Sequence, residues 1–126
     1  MKRFAFLIMT FLLTMAGCAS AIPEFSNAHV SAIGSDSPNE FCSDFSLTDE
    51  QALEFLGRSR EVTIDVFHND YDYLPCYVKG VVTWRHDKCE FEIRAGGTVE
   101  LSCKNGKGHL MVCDTCDHLL GGEGQE

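Results

Sequence analysis

Apolar and polar residues alternate most regularly between Cys89 and Cys103. Phe91, Ile93, Val99 and Leu101 share one face of a predicted β-hairpin; Glu90, Glu92, Arg94, Thr98, Glu100 and Ser102 share the other, with Glu90, Glu92, Arg94 and Glu100 facing solvent. A two-residue turn at Gly96-Gly97 would set Ile93 against Glu100, mixing the faces. A three-residue loop, Ala95-Gly96-Gly97 with Gly97 left-handed, instead pairs Ile93 with Val99 and Phe91 with Leu101. The same register carries Cys89 opposite Cys103, at roughly 4.5–5.5 Å between Cα atoms and so within disulfide reach.

Upstream, the period changes. Thr48 is placed to cap a helix whose first turn holds Asp49 and Glu50, with Gln51 completing a capping box. Ala52, Leu53, Phe55 and Leu56 form its apolar stripe, Gly57 marks its end, and Arg58 and Arg60 suit the negative terminus. Glu61 to His68 returns to alternation, with Val62, Ile64 and Val66 on one side, and predicts a first strand. A loop follows to Pro75. Cys76 to Trp84 predicts the second strand, with Gly80 marking a bulge or close approach. Arg85 to Lys88 turns into the Cys89–Cys103 hairpin, and His109 to Cys113 predicts a short fifth strand. The expectation is an α+β fold, one helix packed on a five-stranded antiparallel meander.

Residues 18–41 show no period and read as a flexible tether, with the globular domain at 42–120 and a flexible tail at 121–126. A core of that size supplies only a few kcal/mol, so cross-links are the expected remedy.

The amino terminus has a different character. Met1-Lys2-Arg3 precedes an apolar run and then Ala16-Gly17-Cys18, the layout of a secretory signal over residues 1–17. Leu12-Leu13-Thr14-Met15-Ala16-Gly17-Cys18 resembles a bacterial lipoprotein signal, with Met15 where such signals usually carry Leu. The resemblance implies that Cys18 becomes the lipidated first residue, anchored in a membrane through its lipid. With Ala19 after the cysteine, it implies a location at the outer membrane, facing the periplasm. Cleavage after Ala19-Ser20-Ala21 and retention of the apolar stretch as a membrane helix are the rival readings.

Seven cysteines are present, and lipidation of Cys18 leaves six for three disulfides in an oxidising compartment. The predicted meander gathers Cys42, Cys76, Cys113 and Cys116 at the end of the sheet beside the Gly96-Gly97 turn, opposite the Cys89–Cys103 end. Cys42–Cys76 with Cys113–Cys116 is the preferred pairing of these four, and the two exchanged pairings stay open.

The formal net charge is −9; loss of residues 1–17 removes Lys2 and Arg3 and no acid, leaving 8 basic against 19 acidic residues. Such a balance argues against nucleic acid and anionic lipid head groups as ligands. It suits a basic protein partner, or simply solubility.

Candidate chemistry is sparse. Cys113-Asp114-Thr115-Cys116 follows a strand like a redox motif, but no long helix follows it, and Asp114 and Asp117 would raise a thiol's pKa. With His109 and His118 it offers zinc-type donors, but there is no second CxxC, and a structural disulfide is the preferred fate. Asp70, Tyr71, Asp72 and Tyr73 lie on the loop beside His68; acids two apart are commonly turn formers, and the functional version is a recognition loop of exposed tyrosines ringed by acid. No cofactor or catalytic motif is expected. The chain reads as a non-enzymatic binding module, of inhibitor or immunity type, directed at a basic envelope hydrolase. The alternative is an accessory thiol or metal-binding protein using Cys113 and Cys116.

Overall fold

The alternation around the central hairpin is realised in a six-stranded antiparallel sheet with two helices. The computed structural model describes residues 24–37, 42 and 44–121. The elements are β1 (Phe25–Ser35), α1 (Asp49–Arg58), β2 (Arg60–Glu61), α2 (Ile64–Asn69), β3 (Cys76–Trp84), β4 (Asp87–Arg94), β5 (Thr98–Cys103) and β6 (Gly108–Val112), followed by a short 3-10 turn at Asp117–Leu119. The spatial order is β1-β3-β4-β5-β6-β2.

β3 to β6 form the expected meander. Ile93 faces Val99, Phe91 faces Leu101 and Cys89 faces Cys103; Gly97 is left-handed at φ 93°. α1 starts as its sequence predicts: the Thr48 hydroxyl accepts from the Gln51 amide, and the Gln51 side chain accepts from the Thr48 amide. It buries Ala52, Phe55 and Leu56 against the apolar face of the sheet, where Val78, Val82, Trp84, Phe91, Ile93 and Leu101 complete the core. Leu53 stays partly exposed, and the helix ends at Ser59, whose amide bonds the Leu56 carbonyl.

Two expectations are overturned. The first concerns the tether: within residues 18–41, Phe25–Ser35 is a strand, pairing along β3 from Phe25↔Trp84 to Ser35↔Cys76. Two register shifts interrupt the pairing, and Asn27 sits at φ 54°. These irregularities erase the period-2 signal that would have announced a strand. Gly80 explains the position of β1: a Cβ there would lie 2.1 Å from the His29 carbonyl oxygen and 2.6 Å from the Phe91 ring. Only glycine lets β1 close on β3 at that point.

The second concerns Glu61–His68, which is not a strand. Arg60–Glu61 pairs with Val112 and Met111 of β6 and the Val62 amide adds a bond to the Leu110 carbonyl, and the Thr63 hydroxyl then accepts from the Val66 amide and opens α2. A side-chain acceptor at the N-cap and Asp65 in the first turn outweigh the β-propensity of Val and Ile. Phe67, on the wrong parity for the predicted strand, is buried, whereas Ile64 is 59% exposed. Among the described residues the fold is therefore α+β with six strands and two helices, not five and one.

Three disulfides join Cys42 to Cys76, Cys89 to Cys103 and Cys113 to Cys116. Cys89 and Cys103 occupy opposed positions of β4 and β5 with Cα atoms 4.0 Å apart. At the other end of the sheet the Cys113 amide donates to the Gly97 carbonyl, fixing the CxxC turn beside the glycine loop. The signal segment, Cys18 and the tail 122–126 lie outside the described residues.

Candidate functional site

The two faces of the sheet are treated differently. The apolar face is closed by α1 together with Phe45, Leu47 and Leu119. On the second face the described residues cover only the end near the Gly96-Gly97 turn. There Phe67, Thr98 and Val112 are buried outside the main apolar cluster, and α2 contacts β6. The rest of this face forms an open cleft of about 360 Å³, lined by Ser31, Lys79, Glu90, Glu92, Glu100 and Ser102 among others.

Strand parity puts these side chains there. Glu90 and Glu92 alternate with the buried Cys89, Phe91 and Ile93, and Glu100 and Ser102 alternate with Val99, Leu101 and Cys103. The register then sets Glu90 against Ser102 and Glu92 directly against Glu100. Like charges opposed across a strand pair destabilise a sheet unless something compensates. Glu92 is compensated: Lys79 Nζ lies 3.4 Å from one oxygen and an Arg94 nitrogen 3.2 Å from the other. Glu90 and Glu100 have no ion-pair partner among the described residues. Desolvation, then the hydrogen bond to and repulsion from Glu92, hold the Glu100 carboxyl above the ordinary carboxylate range. A cation placed between the strands would find one acid already satisfied and two that are not.

Arg94 departs from its predicted position. It lies on the expected side of β4 but is 6% exposed, because the loop after α2 folds over it. One guanidinium nitrogen donates to Asp36 at 2.7 Å, to the Leu74 carbonyl at 3.2 Å and to the Pro75 carbonyl at 3.4 Å, while the Tyr73 ring lies 4.4 Å from the guanidinium carbon. Arg94 is thus a clasp holding the 70–75 loop and the end of β1.

That clasp changes the reading of the Asp70–Tyr73 loop. The Tyr73 hydroxyl donates to Asp36 at 2.6 Å, and with Arg94 it holds the Asp36 carboxyl below its usual range. The Tyr71 hydroxyl donates to Asp114, which also receives Arg60 at 2.8 Å; Arg60 first, then Tyr71, lower the Asp114 pKa. Asp70 caps α2, and the Asp72 carbonyl sits where a side chain at Gly96 would be 2.3 Å away. Both tyrosine hydroxyls are spent on internal anchoring, although the Tyr73 ring remains 64% exposed. Arg94 joins this loop to the cleft, since its other terminal nitrogen pairs with Glu92 at 3.2 Å.

Cys113 and Cys116 are buried under α1, with Cys116 Sγ 3.9 Å from the Phe55 carbonyl oxygen. His118 pairs with Glu54 at 3.0 Å and His109 with Glu61 at 3.6 Å, so neither histidine turns to the CxxC. Among the described residues no group of three or more His, Cys, Asp and Glu could hold a metal. The opposed Glu92 and Glu100 were legible in the hairpin register itself; the depth of Arg94 was not.

No family model, curated protein or solved structure matches this chain.

Proposed function

We propose that the chain is a small acidic lipoprotein of the cell envelope, anchored by lipid at Cys18 and probing the periplasm from the outer membrane with a non-enzymatic binding domain. Its partner is a basic protein, and an envelope hydrolase fits best, which makes this an inhibitor or immunity-type module. The observation that carries the reading is Glu100: a carboxylate opposed to Glu92, beside Glu90, in an open cleft and with no ion-pair partner among the described residues. A Lys or Arg side chain seated there relieves the repulsion and is drawn in by it. The three disulfides keep the face rigid, so little ordering entropy opposes the contact.

The experiment is calorimetric titration of the protein with a basic lysozyme, at low and at high salt, for the parent and for Glu90→Gln/Glu100→Gln. Binding that falls about tenfold or more in the double variant and weakens with salt supports the reading, since a tenfold loss corresponds to about 1.4 kcal/mol. Equal binding by both proteins, or binding indifferent to salt, overturns the carboxylate cleft as the contact. A panel of other basic hydrolases that all fail to bind overturns the partner class.

A further inference from the structure

Among the described residues β1 is one edge of the sheet, and its two halves are protected unequally. In the first half the Val30 amide donates to Asp49 of α1 at 2.8 Å, and the register shifts on either side of His29 and Val30 bend the strand. These are the usual devices against edge-to-edge pairing. The second half, Ser31-Ala32-Ile33-Gly34-Ser35, has none of them past its first residue. It carries no charge and no proline in a chain of net charge −9, and Ile33 is 51% exposed.

The hydrogen-bond phase of this half is known. The Asp36 amide donates to the Pro75 carbonyl, and the register is regular from Ala32↔Lys79 to Ser35↔Cys76. Antiparallel pairs alternate between bonded and non-bonded, so Ala32 and Gly34 direct their backbone groups at β3, while Ile33 and Ser35 direct theirs outward. The segment is also close to a palindrome in size and polarity: Ser, small, Ile, small, Ser. A two-fold axis at Ile33 sets Ile33 against its own copy, Ala32 against Gly34 and Ser31 against Ser35. Such an axis is what an isologous interface requires, and it brings together the residues whose backbone groups point outward. One step further, Asp36 of one copy comes opposite Val30 of the other, whose amide already belongs to Asp49. The pairing therefore stops after these residues.

We propose that this chain associates with a second copy of itself through antiparallel pairing of Ser31–Ser35 about a two-fold at Ile33, extending the sheet across both molecules. The contact is short, so the dimer belongs to the weak, concentration-dependent class. The acids at its rim make it tighten as salt screens them.

Cysteine cross-linking reads the register directly. In the full chain carrying Cys18→Ser, the remaining six cysteines are held in the three disulfides. An Ile33→Cys chain is expected to link to itself under mild oxidation, its Cα atoms being about 5.5 Å apart across the axis. A Ser35→Cys chain is not, because two such positions lie roughly 14 Å apart along the strands. A mixture of Ser31→Cys and Ser35→Cys chains links again. Ile33→Lys, at an exposed site that leaves the fold intact, is expected to be monomeric by sedimentation where the parent is dimeric. Cross-linking of Ser35→Cys as readily as Ile33→Cys, or an Ile33→Lys dimer, overturns the proposal. A parent chain monomeric at every concentration also overturns it and leaves the edge to an extended segment of another protein.

Discussion

Glu92 and Glu100 stand directly opposite each other on β4 and β5, and they are not equivalent. Glu92 is bracketed by Lys79 and Arg94; Glu100 has Glu92 across from it, no ion-pair partner among the described residues, and only the weaker attraction of Arg94 and His68 to offset burial and repulsion. The sheet holds an acid at a position where neutrality would suit it better.

Glu100→Gln is therefore expected to stabilise the protein at neutral pH. Cross-strand like-charge effects span about 0.2–1 kcal/mol, and exposure of Glu100 to solvent places this one near the low end. The sign follows from its raised pKa: the favourable state of Glu100 is present below the ordinary carboxylate range and is lost as pH rises through its elevated value. The gain from Gln should thus be found at neutral pH and vanish in acid. Urea unfolding at both pH values checks it; an equal gain in acid would rule out relief of charge.

Asp36 has the opposite sign. Tyr73 and Arg94 depress its pKa, so its contribution is present above the ordinary carboxylate range and lost as pH falls through the depressed value. Asp36→Asn should be less stable than the parent at neutral pH, with the gap closing in strong acid. Arg94→Met should cost more, roughly 2–4 kcal/mol, because it strips donors from two backbone carbonyls and from Asp36 at a buried position. Amide exchange should then accelerate first at Asp36, whose amide bonds Pro75.

Phe67 and Ile64 decide between a helix and a strand at residues 64–69. Phe67→Ala should cost about 3 kcal/mol, whereas Ile64→Ala should stay within about 0.5 kcal/mol. Burial of Phe67 and exposure of Ile64 produce that order. Denaturant midpoints in the reverse order would favour the alternating strand.

The Cys89–Cys103 bridge spans a sequence separation of 14 residues. The chain-entropy model gives roughly 3 kcal/mol for a loop of this size, a large share of the 5–15 kcal/mol typical of a domain. The double alanine variant should lose about that much. A single variant should do worse, since its free thiol can exchange with the other bridges. Unfolding curves together with non-reducing peptide maps test both statements.

Cys18→Ser should abolish incorporation of labelled palmitate and release the protein from membranes. Labelling that persists in the variant would mean that the lipid is carried elsewhere.

What the sequence determined was local or periodic. The hairpin register followed from parity, because one slipped residue would expose Phe91, Ile93, Val99 and Leu101 together. That register already placed Glu92 opposite Glu100 and Cys89 opposite Cys103. The start of α1 followed from Thr48 and Gln51, whose bonds reach only three residues. The tertiary structure alone decided the rest. β1 became a strand because β3 offered it an edge and Gly80 made room, although its bulges left no period to read. Arg94 became a buried clasp only because the 70–75 loop folded over it and Asp36, just past the end of β1, arrived from 58 residues away. Side-chain alternation is a property of one segment, whereas burial and ion pairing belong to whatever the rest of the chain brings alongside.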